Sequence, residues 1–119
     1  MRGWGRRNHQ RPSREVRERQ LDALCELATQ IATVLRANGD GRSADMYADL
    51  AEGAAQLSRD GFTQDSLNEL SGAMPAAPSW LNPRAAGFDM HREPWQAELG
   101  PIVAECGRVA RELRVVGSV

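Results

Sequence analysis

Leu21, Leu24, Ala28, Ile31 and Leu35 recur at intervals of three and four residues. In a helix of about 3.6 residues per turn this spacing puts all five on one stripe. Leu27 and Val34 widen it into a broad apolar face. One helix cannot shield such a face from water, so the rest of the chain must cover it.

The signals on either side bound this first helix. Ser13, after Pro12, is a good N-cap, and Glu15 in the first turn complements the helix dipole. Asn38-Gly39-Asp40-Gly41 stops it, with Gly39 suited to the left-handed cap. The predicted span is about 13–38. A second helix, about 43–59, starts at Ser43 as its cap and presents Met46, Leu50, Ala54 and Leu57, with Tyr47 and Ala51 beside them. Thr63 caps a short third helix, about 63–71, whose Leu67 and Leu70 face inward. A fourth, about 93–115, carries Pro94 in its first turn and the stripe Leu99, Ile102, Cys106, Val109, Ala110 and Leu113. Gly100-Pro101 inside it predicts a kink or a restart.

Abundant alanine and scarce β-branched residues favour helix over sheet. The 119 residues suit one domain. The fold class expected is therefore all-α: a small helical bundle of three long helices and one short helix, with a long Pro-rich loop before the last. Residues 1–12 read as a flexible Arg-rich arm and 13–119 as a single helical domain. The loop, 72–93, contains Pro75, Pro78 and Pro83 but also Trp80 and Phe88, so its aromatics are expected to pin it to the helices.

Charge is segregated along the chain. All positive charge is arginine, and residues 1–19 carry seven arginines against two carboxylates, a local net of +5. Residues 20–119 carry eight arginines against fourteen carboxylates, a net of −6. The lack of lysine, with Ala, Gly and Arg favoured, looks like the product of a GC-rich bacterial genome. On the second helix Asp45, Asp49 and Glu52 share a face opposite the core stripe. A solvated helix face is the plain reading of these three. A docking surface for a basic protein is the sharper one, since a cationic partner would relieve their mutual repulsion.

Other chemistries find little footing. No Cys-x-x-Cys, His-x-x-x-His or phosphate-binding glycine loop is present. Asp89, His91 and Glu93 alternate but are interrupted by Arg92 and Pro94. Cys25 lies beside the first apolar stripe and Cys106 within the last, where a thiol behaves as a small hydrophobe. No cofactor, metal or catalytic residue is expected, and the chain reads as a non-enzyme. No apolar run reaches the roughly 18–20 residues of a membrane span, and no apolar stretch follows the first arginines. The expectation is no membrane partner, a cytoplasmic location and reduced thiols.

Two resemblances bear on function. Leu50-Ala51-Glu52, Leu57-Ser58-Arg59 and the polar helix from Thr63 resemble the helix-turn-helix of phage-repressor-type regulators. Ala55 and Gln56 stand where that motif has its turn glycine. The would-be reading helix offers Gln64, Asp65, Ser66, Asn68 and Glu69, without the arginines that phosphate contacts require. The second resemblance covers more chain. The long helix ending in a polar glycine turn, the second helix, Leu70-Ser71-Gly72-Ala73-Met74 and Leu81-Asn82 are similar to a family of small uncharacterised bacterial all-helical proteins. Here Ala73 replaces the second glycine of that family's segment and Pro83 replaces its acid. This resemblance implies a helical fold and an immunity-protein-like role beside a toxin.

The function expected is protein–protein interaction: an inhibitor or immunity-type protein holding a basic protein partner. Asp45, Asp49 and Glu52 would steer the partner, and Trp80 and Phe88 would anchor it. One alternative is a nucleic-acid-associated regulator working through Arg2, Arg6, Arg7 and Arg11, with Trp4 and His9 interleaved, or through a degenerate helix-turn-helix. The arm could instead contact the acidic face of its own or a neighbouring molecule. Another alternative is a subunit of a larger assembly.

Overall fold

The computed structural model describes residues 13–75 and 93–114, and among them the fold is all-α. Four helices follow in order: α1 (Arg14–Ala37), α2 (Gly41–Asp60), α3 (Gln64–Gly72) and α4 (Pro94–Glu112). No helix among the described residues is long and apolar enough to cross a membrane.

The end signals act locally. The Ser13 hydroxyl accepts from the Val16 N–H at 3.2 Å, closing the first turn of α1. Gly39, at φ 90°, reverses the chain after α1 where a side chain would be strained. Asp40, not Ser43, caps α2: its carboxylate accepts from the Ser43 N–H at 3.2 Å. The sequence reading misplaced this cap by three residues because both residue types serve the role, and the glycine turn decided between them. Thr63 caps α3, with Ser66 returning a bond to the Thr63 N–H at 2.8 Å. At α4, Gln96 accepts from the Glu93 N–H at 2.8 Å, and Pro94 fills the first helical position.

α1 is the central helix, since α2 and α4 each pack on it and α3 bridges α2 and α4. The start of α1 meets the end of α4, so those two run antiparallel. All five stripe residues, Leu21, Leu24, Ala28, Ile31 and Leu35, are fully buried. At Gly53 α3 comes so close to α2 that an added Cβ would sit 3.0 Å from Leu70 Cδ1.

Two stripe assignments and one charge assignment shift. On α2 the core face is Ala44, Tyr47, Leu50, Ala51 and Ala54, while Met46 is 44 % exposed. The Tyr47 ring is buried in the core that α2 shares with Cys106 of α4. On α4, Val103 is buried where Ile102 was expected, and Ile102 is half-buried. Pro101 supplies the reason. It sits on the exposed side inside one continuous helix, which neither ends nor restarts there. Turning the proline outward leaves the unpaired carbonyl of Ala97 facing water, and it brings Val103 inward two residues later.

Arg17 is the third shift. The sequence reading counted it with the N-terminal positive charge, but its side chain is buried, at 4 % exposure. It donates to the Glu112 carbonyl at 2.7 Å, to Gln20 Oε1 at 3.1 Å and to Gln64 Oε1 at 3.1 Å. Gln64 in turn donates to the Leu113 carbonyl at 2.9 Å. Carbonyls at the end of α4 lack helical partners, and these two side chains from α1 and α3 satisfy two of them. The guanidinium also sits at the negative pole of the α4 dipole.

Candidate functional site

Asp45, Asp49 and Glu52 all project from the outer, exposed side of α2, as i, i+4, i+7 spacing requires. They are not equivalent. Asp45 accepts from Arg36 on α1 at 2.6 Å, so its charge is answered within the fold, although its side chain stays 75 % exposed. Asp49 and Glu52 make no ion pair among the described residues. Trp80 and Phe88, the expected anchors, and Arg2, Arg6, Arg7 and Arg11 lie outside the described residues, as do Trp4 and His9.

Beside this face runs a groove that the sequence reading did not identify. It follows the seam between α1 and α2. Ala48, Ala51 and Ala55 floor its α2 side, where a methyl group is all that each residue contributes. Cys25 and Thr29 face them from α1. Toward the start of α1 the groove widens to about 720 Å³, rimmed by Asp22, Glu26 and Arg59. Glu52 and Arg36 rim the other stretch, of about 300 Å³. Arg36 and Arg59 are both engaged, with Asp45 and with Asp60 at 3.5 Å. Asp22 accepts a hydrogen bond from Ser58 at 2.9 Å but has no cation beside it among the described residues, and neither has Glu26. The uncompensated rim charge is therefore negative: Asp22, Glu26 and Glu52. Ala48, Ala51 and Ala55 at spacings of three and four were the signal for the groove in the sequence.

The exposed charge on α4 is paired differently. Arg108 is held between Glu105 and Glu112 on successive turns. The hydrogen bond from Arg108 holds the Glu105 carboxyl below its ordinary range, and both carboxylates hold Arg108 firmly charged.

The would-be reading helix of the helix-turn-helix resemblance is α3. Its Gln64 is committed to Arg17, Asn68 and Leu113, the Asn68 contact lying at 2.9 Å. Asp65 and Glu69 are its exposed charges.

The two thiols occupy contrasting places. Cys25 is half-buried on the groove wall, while Cys106 is buried, near Met74 Sδ at 3.9 Å. Burial pushes the Cys106 thiol up to about 11. Only the thiolate alkylates, and Cys106 is both buried and held as the thiol, so at pH 8 iodoacetamide should modify the more accessible Cys25 well before Cys106. Peptide mass spectrometry reads the two rates; comparable rates would mean that Cys106 is not in the core. Among the described residues no group of three or more His, Cys, Asp or Glu side chains could hold a metal ion.

Compared with protein-family models, with curated proteins and with solved structures, the chain matches none.

Proposed function

We propose that this chain is a non-enzymatic protein-interaction module, of inhibitor or immunity type, that engages a basic protein partner through the outer face of α2. The observation that carries the reading is the pair Asp49 and Glu52. Both are exposed, neither is ion-paired among the described residues, and the apolar α1–α2 groove runs beside Glu52. Charge placed this way speeds encounter with a cationic surface, and a nearby apolar trough gives the complex area to bury. Asp45 contributes less to the outward field than the sequence suggested, because Arg36 answers it. Trp80 and Phe88 remain the proposed aromatic anchors.

The test is comparative capture. The tagged chain and a variant with Asp45, Asp49 and Glu52 all changed to Ser are used on host lysate, each with nuclease, and bound proteins are quantified. A stoichiometric basic protein held by the native chain should fall at least about tenfold with the variant, while the circular dichroism of the two chains stays the same. Equal capture by both removes this face from the interaction. Capture that disappears with nuclease for the native chain would move the function to nucleic acid and to Arg2, Arg6, Arg7 and Arg11.

A further inference from the structure

The groove along α1 and α2 has a candidate occupant within the same chain. Its rim is negative at Asp22, Glu26 and Glu52, and its floor is apolar. Residues 1–12 carry Arg2, Arg6, Arg7 and Arg11, no carboxylate, and one large aromatic, Trp4. The match is therefore of both charge and character: guanidinium groups for the rim and an indole for the alanine floor.

Reach decides whether this match is intramolecular. Asp22 lies nine residues beyond Ser13 along α1, a rise of about 14 Å, and Thr29 lies about 24 Å along. A chain doubling back from Ser13 covers about 3.3 Å per residue. Arg6 and Arg7 can thus reach the level of Asp22 and Glu26, and Trp4 that of Thr29. Arg14, next to the reversal, is already engaged by Glu18 at 3.3 Å and by the Phe62 ring at 5.3 Å.

We infer that residues 1–12 dock back into the α1–α2 groove of their own molecule, with arginines on Asp22, Glu26 and Glu52 and Trp4 over the alanine floor. The docked arm covers Glu52 and so competes with a basic partner for the α2 face, making the arm a built-in competitor. The contact is a property of the chain alone, so its test needs no partner and can fail while the proposed function stands.

The experiment compares amide spectra of the full chain with a full-length variant carrying Arg2, Arg6, Arg7 and Arg11 all changed to Ser. At about 0.01 M salt, where charges act over about 30 Å, the amides of Cys25, Thr29, Ala48 and Ala55 should differ between the two chains. Amides of the α4 stripe should not. At about 1 M salt, where that range is about 3 Å, the difference should shrink by more than half. A full-length chain with Asp22→Asn and Glu26→Gln should reproduce the arm variant's groove shifts. The differences must also be independent of protein concentration. No groove difference at low salt overturns the inference. Differences that grow with concentration overturn it too, because the arm would then be seated on a second molecule.

Discussion

Replacing Arg17 with Ala should destabilise the fold by about 2–4 kcal/mol, read as a lowered urea midpoint with an unchanged slope. The magnitude follows from what the guanidinium holds. It is buried, and it bonds the Glu112 carbonyl at the end of α4, Gln20 on its own helix and Gln64 on α3. Truncation leaves the Glu112 carbonyl without its 2.7 Å donor in a part-buried place. It also frees Gln64, whose amide caps the Leu113 carbonyl, and opens a void where three helices meet. Arg17→Lys should recover less than half of the loss, because one ammonium cannot reproduce the planar fork that addresses Glu112 and Gln64 at once. Gln64→Ala alone should cost about 1 kcal/mol, and the double variant should cost less than the two singles combined, since they share one network. A loss below about 0.5 kcal/mol for Arg17→Ala would mean that solvent replaces the guanidinium and that the α4 end is open.

Arg17 also shows where sequence reading stops. It lies four residues before Leu21, so in the helix it continues the α1 stripe toward the N-terminus, although the stripe read from the sequence began at Leu21. Its charge argued against an inner position. What settles the matter is the end of α4, 95 residues away in the chain, and no local pattern reports that contact. The stripe from Leu21 to Leu35 was legible because α2 and α4 both pack on α1, so every inward position is covered whatever the exact packing. The outer helices were harder. Each has one inner side only, and a rotation of about 100°, one residue, separates Met46 from Tyr47 and Ile102 from Val103. The exposed proline goes with the rotation of α4, and burial of the Tyr47 ring in the shared core goes with that of α2. The acidic face of α2 was read from spacing, but its unequal strength was not: Arg36 and Asp45 meet only because the glycine turn folds α2 back along α1. The groove escaped for a related reason. Small residues at spacings of three and four look like a weak core stripe until a neighbouring helix is in place beside them.

Tyr47 carries the second large effect, and its sign depends on the replacement. Tyr47→Ala should cost about 3–5 kcal/mol, because the ring is the largest of the fully buried side chains in the core. Tyr47→Phe should do the opposite and stabilise by about 1 kcal/mol. The hydroxyl is buried and has no hydrogen-bond partner among the described residues, so its desolvation is uncompensated there, and removing it keeps the packing. Titration gives an independent check. Burial, with a smaller contribution from Cys106, pushes the Tyr47 hydroxyl from 10.0 up to about 12. Burial alone pushes Cys106 from 9.0 up to about 11. Well below pH 9 both groups are protonated in folded and unfolded chains, and neither makes stability depend on pH. Above pH 9 the unfolded chain releases the Cys106 proton while the folded chain keeps it, and above pH 10 the same holds for Tyr47. The unfolded state then binds fewer protons, so stability falls as pH rises, until the folded groups ionise near pH 11 and 12. In Tyr47→Phe the upper part of that decline should vanish and the part beginning near pH 9 should remain; in Cys106→Ala the reverse should hold. Urea midpoints from pH 8 to 12 measure both. Should Tyr47→Phe prove less stable than the native chain at pH 8, the hydroxyl is hydrogen-bonded in solution, and a water bound between α2 and α4 becomes the partner to look for.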